Sequence, residues 1–188
     1  MSNYAQHQQN PFKSQRGFSL LELLVVMLII GLLTGLGISS YVTAQKKSRD
    51  NRRKQDLSSI SKALEVYYND WGRYPGYVLV GDNAIMEACG DTAQSACVWG
   101  ELWQGQANTL YMTELPMDPS DGLSYAYQNS GDGYRLFAHL ENDQDPDVVR
   151  DADDQATSYA GVNCGTTENC NYVLMSSNLS AEPAIVGP

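Results

Sequence analysis

Glu22 is the only strongly polar side chain in a run of 21 residues, Phe18 to Ile38. An ionised carboxylate inside a hydrocarbon layer costs on the order of 2.5–3.5 kcal/mol or more, so this position calls for a cationic partner. A second group lies in the segment ENDQDPDVVRDADD at 141–154, which sets Asp143, Asp145, Asp147, Asp151 and Asp154 at positions 1, 3, 5, 9 and 12 of a calcium-loop count. Oxygen ligands so spaced suit a hard cation. Against calcium, Val148 stands where such a loop turns on glycine, Pro146 stiffens it, and an aspartate closes it instead of a glutamate. A plain solvated acidic loop is the competing reading. The third group is Cys89, Cys97, Cys164 and Cys170, with histidine only at 7 and 139. No CxxC spacing invites zinc, and a Cys–His catalytic pair has few candidates, so two disulfides in an oxidising compartment are the simpler expectation. Three connectivities are open, and 89–97 with 164–170 is favoured because each pair sits in its own turn-rich segment. No Ser/His/Asp arrangement or phosphate-cradling glycine loop points to an enzyme, and no cofactor is expected beyond that calcium.

The elements that must carry these residues differ sharply in charge. Residues 1–39 sum to +1; residues 40–73 hold eight cations against four anions, and residues 74–188 two cations against 17 anions. Such an acidic carboxy-terminal part repels phosphate, and nucleic acid is not an expected partner. With 188 residues the chain suffices for one globular unit plus an appendage. The appendage is the apolar run 18–38, which as a helix spans roughly 30 Å of hydrocarbon. Gly31 and Gly35 form a small-xxx-small pair that could bring two such helices close together. A secretory signal would place small residues after the apolar run, and Ser39-Ser40-Tyr41 makes a poor cleavage site of that kind.

The sequence KSQRGFSLLELLVVMLIIG combines a basic leader, Gly17, an apolar Phe18, the carboxylate of Glu22 and an unbroken apolar run. It resembles the amino-terminal signature of type IV pilins and type II secretion pseudopilins. The resemblance implies cleavage by a membrane prepilin peptidase between Gly17 and Phe18, N-methylation of Phe18, and assembly through Glu22. Glycine at the end of the leader agrees with close approach of a protease to the backbone. The new amine on Phe18, four residues before Glu22, or the same amine on a neighbouring subunit, is the cation that Glu22 calls for. Many relatives carry a proline where this chain has Ser39, so a proline kink is not carried over.

Downstream, the apolar or aromatic positions 57, 60, 64, 67 and 71 alternate steps of three and four, the stripe of a helix packed on one side. Residues 43–56 lack proline and glycine, and Lys46–Asp50, Asp50–Lys54 and Arg52–Asp56 are i, i+4 pairs that continue the helix. Trp71-Gly72-Arg73-Tyr74-Pro75 stops it. The basic cluster Lys46, Lys47, Arg49, Arg52, Arg53 and Lys54 reads as a solvated or intersubunit face, in preference to a lipid-headgroup or DNA patch. Past Pro75 the period becomes 2: strands are expected over 123–128, 134–140 and 171–176, with Asn129-Ser-Gly-Asp-Gly133 as a hairpin turn. YYNDWGRYP and LPMDP at 115–119 resemble the corresponding region of major pseudopilins and of some type IV pilins.

The expected protein is α+β: a long amino-terminal helix with a small antiparallel sheet head packed on its carboxy-terminal half. The expected divisions are a cleaved leader at 1–17, a membrane and filament-core helix at 18–38, a stalk at 39–72 and a head at 73–188. The resemblance implies a structural subunit of a type IV pilus or pilus-like filament, anchored once in the inner (cytoplasmic) membrane and then extracellular. Its implied partners are further copies of itself in a helical filament, the prepilin peptidase, an inner-membrane assembly platform and, before assembly, membrane lipid. The alternatives are a type II secretion or competence pseudopilin and, more remotely, a single-pass anchored binding domain.

Overall fold

A computed structural model describes residues 17–188 other than Asp82, Asp91, Thr167, Ser180, Ala181, Gly187 and Pro188; the side chains of 35–39 and 107 are also outside the described set. The leader expected at 1–17 therefore lies outside it except for Gly17. Helix α1 runs Leu20–Trp71 and ends where Gly72, at φ 66°, turns its N–H back to the carbonyl of Tyr68 at 2.7 Å. The chain divides into two units, Met1–Tyr41 and Val42–Pro188.

In the first unit Phe18 and Leu20 are 82% and 90% exposed, and the large apolar side chains from Leu21 to Leu33 are exposed as well. Among the described residues no helix is long and apolar enough to cross a membrane. The span expected at 18–38 includes residues 35–38, whose side chains lie outside the described set.

In the second unit the stripe of α1 is the seed of the core: Leu57, Ile60, Leu64 and Tyr67 are buried, and Trp71 remains partly exposed, its indole N–H bonded to the Tyr111 hydroxyl. Strands β1 (Tyr77–Val80) and β2 (Asn83–Met86) form one antiparallel pair, and β3 (Trp103–Gln104) and β4 (Leu110–Met112) another. A third, three-stranded antiparallel sheet has the order β5 (Ala126–Asn129), β6 (Tyr134–Ala138), β7 (Tyr172–Met175). It corresponds to the three strands read from the sequence, each shorter than expected. The period-2 alternation sorts its side chains to two faces. Tyr125, Tyr127, Tyr134 and Leu136 join the helix stripe, Met86, Trp103 and Leu115 in one core cluster. Ala126 and Phe137 point the other way, onto Tyr159, Val162, Cys164 and Cys170. The sheet is thus covered by α1 on one side and by the segment 159–170 on the other.

Two pairs of strands went unread. YVLV at 77–80 is a continuous apolar run without alternation, and β3 has only two residues, too short to show a period.

Candidate functional site

The amino-terminal site is built by the start of α1. Gly17, Phe18 and Ser19 precede the helix, and Glu22 falls in its first turn, where the helix dipole favours a negative charge. The Ser19 carbonyl accepts the N–H of Leu23 at 3.2 Å. The carboxylate thus sits at one end of a helix whose apolar side chains are uncovered in the isolated chain.

The second ionic site is closed within the head. Arg53 is fully buried and uses its whole fork. Its Nε and Nη2 donate to the two oxygens of Asp118 at 2.8 Å each, Nη1 donates to Asp50 Oδ1 at 2.7 Å and lies 2.9 Å from Glu141 Oε1, and Nη2 also reaches Ser120 Oγ at 2.8 Å. Asp50 in turn accepts the backbone N–H groups of Glu141 and Asn142 at 2.9 and 3.0 Å. Arg49 donates to Glu141 as a second fork, with Nε at 2.7 Å. Lys54 bridges Asp145 and Asp147 at 2.6 and 2.7 Å and lies 5.6 Å from the centre of the Tyr172 ring. One turn and a half of α1 therefore pins two head loops, 118–120 and 141–147.

This corrects the reading of the basic cluster as a solvated face: Lys46, Lys47 and Arg52 are exposed, but Arg53 is buried and Arg49 and Lys54 are held by head carboxylates. Of the i, i+4 pairs expected, Arg52–Asp56 forms at 3.8 Å, whereas Asp50 pairs with Arg53 and Lys54 turns to the loop. A signal was present in the sequence. Counting back from Leu57 by four and three residues gives Arg53 and Asp50, so both fall on the same stripe as the core residues.

The five aspartates expected to hold calcium do not converge. Lys54 already fills the gap between Asp145 and Asp147. Asp151 Oδ1 accepts the N–H groups of Asp153 and Gln155, and Arg150 bonds the carbonyls of Asp143 and Asp154. Among the described residues no group of three or more His, Cys, Asp or Glu could hold a metal ion. The loop is organised by its own Arg150 and by Lys54 of α1.

The Arg49 guanidinium, then Arg53 and Ser120, hold the Glu141 carboxyl down to about 2 against the opposing effect of burial. Burial opposes the charge of Asp145 too, but its bond to Lys54 keeps the carboxyl below the ordinary range. Because the folded value of Glu141 lies below its ordinary 4.5, its contribution is full above that pH and is lost as pH falls towards 2. Unfolding free energy measured against pH is expected to drop through this window less steeply for Glu141→Gln than for the natural chain; parallel curves would contradict the linkage.

The cysteines are joined Cys89–Cys97 and Cys164–Cys170, with Cα separations of 4.9 and 5.0 Å. The second bridge is buried under the far face of the sheet, against Phe137 and Tyr159.

An amino-terminal helix that begins with a lone carboxylate in an apolar surface, followed by a small antiparallel α+β head, defines the pilin and pseudopilin class. The chain belongs to the family described as type II secretion system (T2SS), protein G, whose profile matches residues 40–153, more than half of the chain. A prokaryotic N-terminal methylation motif matches residues 12–38. Among relatives, the type II secretion system core protein G of Pectobacterium carotovorum subsp. carotovorum is 38% identical over 61 residues, 32% of this chain and 39% of that protein. The corresponding protein of Pseudomonas aeruginosa is 28% identical over 119 residues, covering 63% of this chain and 77% of its own. The type IV major pilin protein PilA of Myxococcus xanthus is 31% identical over 62 residues, 33% of this chain and 28% of that protein. The chain spans about two fifths of the length of the first of these relatives. No solved structure matches.

Proposed function

We propose that this chain is a building block of a helical filament of the type II secretion pseudopilus kind, and not a catalyst. On this reading it is inserted once in the inner membrane, cut after Gly17, methylated on Phe18 and assembled through the start of α1. The observation that carries it is the uncovered apolar helix with Glu22 in its first turn. Burying such a surface is worth about 25 cal/mol per Å², so it must lie in lipid before assembly and against other copies afterwards. The match to the protein G family is what supports the pseudopilus reading. A type IV pilus subunit is the second reading, favoured by the similarity to a major pilin over 62 residues.

Processing gives the test. Gly17 is the residue at the end of the leader that admits close backbone approach, so Gly17→Leu is expected to leave residues 1–17 attached in membranes that hold the peptidase. Intact mass separates the full chain from residues 18–188. Normal removal of the leader from the variant would sink the assignment.

A further inference from the structure

Charges without an ion pair among the described residues stand both on α1 and on the head. Along α1, Val42 to Ser48 are exposed, before Arg49 and Asp50 turn into the head. The next four cations of α1 are matched within the chain, Arg49 by Glu141, Arg52 by Asp56, Arg53 by Asp118 and Lys54 by Asp145, whereas Lys62, further along the helix, forms no ion pair among the described residues. Lys46 and Lys47 form no ion pair among the described residues, although Lys47 lies near enough to Asp145 to help lower its carboxyl. On the head the balance is reversed. Asp143 and Glu168 line one open cavity of about 290 Å³ together with His139, and their carboxylates have no cationic partner among the described residues. Asp154 is 89% exposed and meets Arg150 only at 3.7 Å.

We propose that the bare basic turn of α1 at Lys46 and Lys47 is a docking surface for a second copy of this chain, whose head receives it at Asp143, Asp154 and Glu168. This rests on the filament reading and adds to it the surfaces that meet. Charge complementarity selects the occupant. The head carries 17 anions against two cations over residues 74–188, a charge that complements the two lysines. Nucleic acid or an anionic lipid surface would attract the two lysines but repel the head attached to them. In sequence the basic turn follows directly on the apolar run.

Zero-length carbodiimide coupling on whole cells expressing the full chain tests this, because it joins lysines to carboxylates already in contact. The amide between Lys54 and Asp145, 2.6 Å apart within one chain, is the internal control. The expected product is a covalent dimer whose peptides join Lys46 or Lys47 to Asp143, Asp154 or Glu168. Lys46→Glu with Lys47→Glu should reduce that dimer about tenfold, as should Asp143→Lys with Glu168→Lys, since each places like charges opposite one another. All four changes together should restore it. A full control signal without the dimer, or reversal variants that couple as well as the natural chain, would overturn the proposal. So would shielding of Lys46 and Lys47 from an amine reagent by anionic lipid vesicles while the Lys46→Glu, Lys47→Glu chain keeps its full dimer yield, which would assign them to lipid headgroups. Normal filaments from uncoupled reversal variants would leave the filament reading standing and remove only this interface; the absence of both filaments and dimers from the natural chain would remove both.

Discussion

Arg53→Ala is expected to lower the stability of the head by about 3–5 kcal/mol, the range for breaking a buried ion pair from one side. The size follows from what is left behind. Asp118 and Asp50 are as buried as Arg53 itself, and Glu141 stands at the edge of the same cluster. Without the guanidinium, three carboxylates face one another with Arg49 as the cation that remains on Glu141, and otherwise only the neutral donors of Ser120 and the backbone N–H groups of Glu141 and Asn142. Burial works against the charge of Arg53, but its bonds to Asp118, Glu141 and Asp50 outweigh it and raise the pKa. Arg53→Lys should recover only part of the loss, since one ammonium cannot reproduce two parallel bonds to Asp118 together with those to Asp50 and Ser120. By contrast Lys54→Ala removes a pair that is partly solvated, and about 1 kcal/mol or less is expected. Urea unfolding of the full chain in detergent, followed by tryptophan fluorescence, orders the three variants. A loss below about 1 kcal/mol for Arg53→Ala would mean that the cluster relaxes or admits water when its centre is removed.

This cluster also shows what local pattern can and cannot reveal. The stripe at 57, 60, 64 and 67 and the hairpin around Asn129 to Gly133 were legible because each repeats one geometric period over enough residues to be counted. The amino-terminal signature was legible because a carboxylate in an apolar run is costly and therefore informative. Arg53 was misread because charge type was weighed before position: six cations in nine residues suggest a solvated face, while the three-and-four spacing places two charged residues on the buried stripe. Asp118 and Glu141, 65 and 88 residues further along, supply the partners. No pattern confined to a short window can report contacts of that separation. The acidic loop shows the same limit, since the spacing of its aspartates suits a cation while Lys54, which meets Asp145 and Asp147, comes from a distant element.

Glu22→Ala is expected to give a chain that is still inserted and still cut after Gly17, but that yields few or no filaments. The two steps separate because the carboxylate has different partners in each. In lipid it can pair with the amine of its own Phe18 or be protonated, and its removal makes insertion cheaper by up to about 2.5–3.5 kcal/mol. In an assembled bundle, each arriving subunit carries an amine on Phe18 into an apolar core, and a neighbour's carboxylate is what neutralises it. The Arg53 cluster offers the contrast: there every charge is matched within one chain, so the head can fold alone in this respect. At the start of α1 the chain supplies a single carboxylate on an uncovered apolar helix, and on the filament reading its match in the bundle comes from a second copy. Leaving the amine unpaired costs on the order of 3–5 kcal/mol, a penalty that recurs at every junction and that a growing filament cannot average away. Glu22→Gln should be similarly impaired, because it keeps the shape without the charge. Mass spectrometry of membrane fractions would report cleavage, and electron microscopy of sheared material would report assembly. Abundant normal filaments made only of Glu22→Ala subunits would show that the amine is neutralised by another route and that pairing with Glu22 does not drive assembly.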